Sequence, residues 1–351
     1  MEYGGLSIAL SDLPRWGGES DIVGSYRARP SDFVVEEVLG YSPSGEGPHH
    51  WVWVEKIGVS TDDVAKQLAE AWSVSRKDVG YAGKKDTQAI ARQWFSVPES
   101  AQPMPGPITE QIQVLEVSAN PRKLKIGQLA GNRFQLRVIL SASDGLADRL
   151  TRIQTEGVPN YFGDQRFGRS GHNLAAARRL AARDPEGRRR LHPKDGMAAS
   201  AARSALFNRI VAARVASRRW LDVAAGDTLM LAGRNSHFQA KPDELEELLG
   251  RVLSTELNPT APMWGRRSLT GETQATEEAR VADLDSQLST WLAGVFPVEE
   301  RRAARVVPTE LEWVLEGTTL VLSFGLPRGS YATAVLHELG TIVEAHARPS
   351  A

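Results

Sequence analysis

The stretch VPNYFGDQRFGRSGHN, residues 158–173, divides the chain into parts of different character. It is rich in Gly and Arg and carries no apolar period. On its N-terminal side, strand-like alternation prevails. SYRARPSDFVVEEVLG reads as a loop and then a strand through Phe33, Val34 and Val35. HHWVWVEKIG reads as a second strand, with Trp51 and Trp53 on one face and Val52 and Val54 on the other. A helix follows, with Ser60 as N-cap, Asp63 three residues on, and Val64, Leu68 and Trp72 on one face. ARQWFSV is a short strand. NRFQLRVIL alternates Phe134, Leu136, Val138 and Leu140 with polar residues. A further helix runs through Leu146, Leu150 and Ile153 and stops near Gly157.

Beyond the dividing stretch the style changes. Ala- and Arg-rich helices extend to about Trp220, the turn-rich LNPTAPMWGRRSLTGET follows, and then an acidic helix. Near residue 308 strands return. LEWVLEGTTLVLSF reads as two strands about a turn at Glu316 and Gly317, leading through GLPRGSY into the helix ATAVLHELG. The pattern predicts a mixed α/β framework at both ends with a helix-rich segment inserted, and no internal repeat.

The chain has 351 residues, room for two domains or one large one, and 41% hydrophobic residues, ordinary for a globular protein. It has no cysteine, which excludes disulfides, thiolate zinc sites and cysteine nucleophiles and fits a reducing compartment. MEYGGLSIALSDLPRW has neither a basic n-region nor a long apolar run, so no signal peptide is expected. No window approaches the roughly 18 apolar residues of a membrane span. A cytoplasmic protein without a membrane partner is the expectation. Net charge is −1. Its distribution says more: residues 161–220 hold 14 Lys or Arg against 4 Asp or Glu, and residues 241–300 hold 5 against 12. That asymmetry suits one face for a polyanion, although basic helices also serve simply as solvated surface.

The candidate chemistry begins in VGYAGKKDTQAIARQWFSV, residues 79–97, where Lys84, Lys85 and Asp86 follow a Gly-Tyr-Ala-Gly turn. Adjacent ammonium groups favour the ionised form of a carboxylate, and such a carboxylate serves as nucleophile or base at a sugar carbon or its hydrogen. Taken alone, GKKD reads more simply as a salt-paired surface turn. GNRF, residues 131–134, sets Asn132, Arg133 and Phe134 before a strand: an amide for a base edge, a guanidinium for a phosphate, a ring for stacking. Phe134, Phe33 and Phe324 read equally as core rings. Tyr161, Phe162, Arg166, Phe167 and Arg169 interleave aromatics with arginines, which fits a nucleic-acid surface or a packed Gly-rich loop. There is no GxxxxGK[ST] loop and no HExxH pair, and GRSG is not a GxSxG elbow. His49 and His50 are adjacent on a strand, point to opposite faces and make a poor metal pair.

AGKKDTQAIARQW, GNRFQLRV, VPNYFGDQRFGRSGHNL, SALFNRIV, NPTAPMWG and LPRGSYATAVLHEL occur in this order. Together they resemble the TruD family of pseudouridine synthases, which convert uridine 13 of tRNA to pseudouridine. The resemblance runs from about Arg27 to Leu339. It implies an α+β fold: a pseudouridine-synthase catalytic core with a mixed, antiparallel-rich sheet and flanking helices, formed by residues 1–157 and 305–351. It further implies a helix-rich α/β RNA-binding domain inserted at 158–304. On this resemblance the catalytic aspartate is Asp86, and the substrate-contacting positions are Phe33, Asn132 and Phe324, with Phe134 and the basic Arg27 also matching. Lys84, Lys85, Arg133, Arg166 and Arg169 complete the expected substrate-binding set. Many relatives carry a basic residue where this chain has Thr87, and threonine where it has Ala91. The implied reaction needs no cofactor and no metal. The implied partner is tRNA, with no obligate protein partner, and a monomer suffices. Two other readings of the same residues are an RNA-binding protein without activity and a glycosidase or nuclease using paired carboxylates; no second acid stands beside Asp86 in sequence.

Overall fold

The computed structural model describes residues 9–266 and 272–345. Part of GRRSLTGET and the first residues of the N-terminal segment therefore lie outside the described residues. Compactness divides the chain into one unit of Asp21–Asp144, Pro308–Gly329 and Ile342–Ala351, and another of Met1–Ser20, Gly145–Val307 and Ser330–Thr341. The expected boundaries at 157/158 and 304/305 divide the sequence by character. By compactness, the helices Leu146–Glu156 and Ala332–Leu339 fall in the same unit as residues 158–307.

The first unit is built on one mixed sheet. Its strands are β1 (Val23–Tyr26), β2 (Phe33–Val38), β3 (His49–Ile57), β4 (Gly80–Tyr81), β5 (Ile90–Pro98), β6 (Gly106–Thr109), β7 (Ile112–Asn120), β8 (Gly131–Ala142) and the hairpin Thr309–Glu316/Thr319–Pro327. The short strand Thr341–Glu344 joins through β1. The order runs from the hairpin through β8, β2, β5, β3 and β7 to β6. The pair β2/β5 is parallel, and β2/β8, β3/β5 and β8/hairpin are antiparallel. The expected turn falls at Gly317, with φ +60°.

Residues directly opposite on paired strands share a face. The register sets Phe33 against Leu136, Val35 against Phe134, and Phe134 against Phe324. It sets Val35 against Ala91, and Ala91 against Lys56. One face therefore carries Phe33, Val35, Glu37, Asn132, Phe134, Leu136, Phe324, Ala91, Gln93 and Lys56. The helix α1 (Thr61–Ala71) covers the β3/β5 end of this face, packing Val64, Ala65 and Leu68 on Val52, Val54 and Phe95. Ser60 accepts from the Asp63 amide at its start, as the sequence predicts. Trp51 points away into a second cluster with Trp94 and Leu124, so the two-faced reading of β3 holds.

The second unit packs around a helix buried on most sides. Its helices are α2 (Leu146–Glu156), α3 (His172–Arg183), α4 (Gly196–Ala216), α5 (Leu245–Leu253), α6 (Glu272–Ala282), α7 (Ser286–Val295) and α8 (Ala332–Leu339). Leu206, Phe207, Ile210 and Val211 of α4 lie in its core. α2 buries Leu146, Leu150 and Ile153 and ends at Gly157, as expected. Gly157 has φ 80° and ψ −163°, a region essentially reserved for glycine, and a Cβ there would lie 2.6 Å from the Val306 carbonyl oxygen. LNPTAPM, expected as turn, is instead the strand Leu257–Met263, paired with Thr228–Leu231 and Glu300–Ala303. Its two prolines hide a strand whose side chains are mostly buried.

Tyr161, Phe162 and Phe167 are core rings, 0%, 5% and 1% exposed. The dividing stretch is thus a packed loop, and these aromatics offer no stacking surface. Several arginines counted in the basic segment are also internal. Arg203 reaches the Met263 carbonyl and Glu300, Arg214 pairs with Asp227, and Arg209 lies 3.8 Å from Asp285.

Candidate active site

Asp86 lies on the loop 82–89 that leaves β4 and enters β5. Buried polar groups hold this loop at successive points. Gln93 Nε2 donates to the Gly83 carbonyl at 3.0 Å. Thr61 Oγ1 accepts the Lys85 amide at 3.0 Å and donates to Gln93 Oε1 at 2.9 Å. Lys56 Nζ donates to the Asp86 carbonyl at 2.6 Å and to that of Val59 at 2.8 Å. Lys85 Nζ donates to Glu37 Oε1 at 2.7 Å, in a pair whose side chains are 3% and 0% exposed. The second oxygen of Glu37 accepts the Trp94 amide at 3.1 Å.

The Asp86 carboxylate itself is 32% exposed and pairs with Arg27 Nη2. Arg27 Nη1 reaches Glu344 Oε1 at 3.2 Å. The Arg27 guanidinium lies over Phe33, 3.7 Å from the ring centroid. Its backbone has φ 59°, a conformation that costs a non-glycine residue free energy and is concentrated at functional sites. Burial works against the Arg27 charge, but Asp86, Tyr26 and Glu344 outweigh it and its pKa is raised. Burial raises the Glu37 pKa, with Lys85 and the Trp94 amide pulling the other way. Burial lowers Lys56 to about 8, opposed by the Asp86 carboxylate.

The expected site residues separate into groups. Asp86, Arg27, Phe33, Phe134 and Phe324 form one chain of contacts, with ring centroids 5.9 Å apart for Phe33/Phe134 and 5.6 Å for Phe134/Phe324. All three rings are buried, so stacking a base on Phe33 or Phe324 requires the site to open. Asn132 shares their face opposite Glu37 and Leu326, and its Oδ1 is buried without a hydrogen-bond partner among the described residues. Such an acceptor is costly unless something fills it.

The two lysines next to Asp86 do not face its carboxylate. Lys84 turns to Asp62 at 2.6 Å in solvent, and Lys85 turns inward to Glu37. The charge that meets Asp86 comes from Arg27 instead. Lys85 is too buried to meet a phosphate. Arg133 lies on the opposite sheet face, paired with Glu310, and lines an open groove of about 430 Å³ with Glu36, Tyr41 and Trp53. Arg166 belongs to the other unit and donates to Ser200 and Ser204. Arg169 lies in the turn Arg169–Gly171, and its side chain is outside the described residues.

Sequence reading missed Lys56, Glu37, Thr61, Gln93 and Glu344. Two of them left a signal. Lys56 follows Val52 and Val54, and Glu37 follows Phe33 and Val35, each a charge at an inward position of an alternating strand. Among the described residues no group of three or more His, Cys, Asp or Glu is placed to hold a metal. No helix among them is long and apolar enough to cross a membrane.

The profile of the family described as tRNA pseudouridine synthase D (TruD) matches residues 17–188 and 189–339. The tRNA pseudouridine synthase D of Chromohalobacter salexigens is 41% identical over 339 residues, covering 93% of this chain and 96% of the relative. That of Methylococcus capsulatus is 42% identical over 340 residues, covering 94% of each. The crystal structure of a TruD protein from Methanosarcina mazei superposes with a TM-score of 0.68 at 18% identity, over 95% of this chain and 96% of that one, a likeness of fold. The chain belongs to the TruD family of tRNA pseudouridine synthases. The expected fold class and enzyme class are borne out.

Proposed function

We propose that the chain isomerises uridine to pseudouridine at position 13 of tRNA, without a cofactor, and that Asp86 is the catalytic carboxylate. The observation that carries this reading is the setting of Asp86: a partly exposed carboxylate on a loop clamped from below, paired with a half-buried guanidinium. Preorganised charge on a rigid support suits a transition state in which a sugar carbon becomes cationic.

Two routes use the same group. In one, an Asp86 oxygen attacks C1′, the N1–C1′ bond breaks, and uracil leaves as an anion. In the other, Asp86 takes the C2′ proton as uracil leaves, giving a glycal. In both, the base turns: in the first route C5 bonds to C1′ as the C1′–oxygen bond to Asp86 breaks, in the second C5 bonds to C1′ as Asp86 returns the proton to C2′, and in each the C5 proton is then lost and N1 takes up a proton. The target uridine must leave its stack, at a cost of a few kcal/mol. The open acceptor of Asn132 is suited to an N–H of the target nucleotide.

Residues 158–304 are assigned to RNA binding. The cations free for this work are concentrated on the outer face of α3 and the loop after it. Arg179, Arg183, Arg189, Arg190 and Lys194 are exposed. Asp184 holds the loop by accepting the amides of Arg188 and Arg189 at 3.3 and 2.9 Å. Replacing Arg179, Arg183, Arg189 and Arg190 together with Gln is expected to weaken tRNA binding and to lower the slope of log Kd against log salt by about 3, at roughly 0.7–0.9 per lost phosphate contact. An unchanged slope in filter binding would remove this surface from the RNA interface.

The reaction is tested by mapping pseudouridine on unmodified tRNA transcripts. Product at position 13 supports the reading. Product at another position alone overturns the site assignment, and release of free uracil turns the enzyme into a glycosidase.

A further inference from the structure

Lys56 is fully buried beneath α1 at an inward position of β3. Its ammonium ties three separate segments together: its own strand, the entry to α1 through the Val59 carbonyl, and the catalytic loop through the Asp86 carbonyl. A hydrogen-bonding role alone needs no charge. A neutral amide donates too, and burying an ammonium costs several kcal/mol more than burying an amide.

The charges around the loop give the ammonium a purpose. Lys85 is committed to Glu37 at 2.7 Å. Arg27 divides its two terminal nitrogens between Asp86 and Glu344. Three carboxylates, Glu37, Asp86 and Glu344, are thus served by two cations that touch them directly. Lys56 is the third cation, one peptide away from the Asp86 side chain, and with it the cluster is neutral.

We infer that Lys56 is a positioning residue for Asp86, fixing the peptide that carries the catalytic carboxylate and supplying a third positive charge beside Arg27, which Asp86 shares with Glu344, and Lys85, which is held by Glu37. The inference rests on the reaction proposed above. Lys56 makes no contact with substrate in this role. It acts on where the Asp86 carboxylate sits and on the field around it, so it governs the chemical step and leaves RNA binding alone.

Burial brings the Lys56 pKa down to about 8, with Asp86 raising it and Lys85 lowering it. Glu37 shares this sheet face and is paired with Lys85. On α1, Asp62 and Asp63 turn outward to Lys84, Arg76 and Ser60, and β5 contributes only the amide of Gln93 to this face. The ammonium is therefore present below about pH 8 and lost above it.

The test is single-turnover pseudouridine formation with enzyme in excess, over neutral to alkaline pH, alongside tRNA Kd by filter binding. Lys56→Met is expected to slow the chemical step about 100-fold, the size of effect that follows a displacement of about 1 Å, with Kd within about threefold of wild type. Lys56→Gln, which keeps a donor without the charge, is expected to be slowed less and to show a rate independent of pH across the range where the wild-type rate falls. An unimpaired Lys56→Met, or losses of rate and binding that run in parallel, would overturn the inference. If Lys56→Met does not fold, Lys56→Gln decides: a slowed chemical step with Kd unchanged supports Lys56, and a wild-type rate removes it. Wild-type enzyme that makes no pseudouridine overturns the reaction itself. Wild-type product together with an active Lys56→Met overturns the role of Lys56 alone.

Discussion

Asp86→Asn is expected to lower the single-turnover rate of pseudouridine formation by roughly 10⁴-fold or more while leaving the fold and tRNA affinity intact. The magnitude follows from losing both the nucleophile or base and the charge it presents to a developing sugar cation. The separation of activity from stability follows from geometry. The carboxylate is a third exposed, and its partner Arg27 keeps Glu344 when Asp86 is neutralised. The loop stays clamped through Gly83, Lys85 and the Asp86 carbonyl, none of which involves the carboxylate. Substantial turnover by Asp86→Asn would transfer the chemistry to another acid. Loss of tRNA binding along with activity would make Asp86 part of the RNA interface.

The second large effect concerns the residue beside it. Lys85→Met leaves the Glu37 carboxylate buried with only the Trp94 amide for a partner. Removing one member of a buried pair typically costs about 3–5 kcal/mol, which is a melting temperature lower by about 10 °C in a unit of this size. Glu37→Gln alone strands the Lys85 ammonium at a similar cost. Made together, the two changes replace the pair with neutral groups of like volume, and the carbonyl oxygen of the introduced glutamine can still accept the Trp94 N–H. The double variant is therefore expected to recover to within about 1 kcal/mol of wild type. Urea melts of the three variants read this directly. A double variant as unstable as the sum of the singles would show that the ion pair carries no interaction of its own.

These two predictions mark what the sequence makes legible. Asp86 stood out from residues in order along the chain, as did Phe33, Asn132, Phe134 and Phe324 on their strands. Alternation predicted β2, β3 and β8, and the capping signal placed the start of α1. What escaped was partner choice. Two lysines beside an aspartate suggest charge support from neighbours, but successive residues on an extended loop point in different directions. Lys85 turns in, Lys84 turns out, and the support arrives from Arg27, 59 residues upstream. The basic segment 161–220 misled in a related way. A count of arginines does not reveal that Arg203, Arg209 and Arg214 face the interior around α4. The prolines of LNPTAPM hid a strand because local propensity yields to burial between two partner strands.

The clamp on the loop that carries Asp86 bears on folding as well. Its partners come from β2, β3, α1 and β5, at sequence separations of 10 to 48 residues. Contacts gathered from four separate elements are non-local, and non-local contacts slow folding relative to local ones. A chain with its helices formed and its sheet half-zipped has no place yet for Asp86. The Asp86 loop is therefore expected to be fixed only once β2, β3, β5 and α1 have come together.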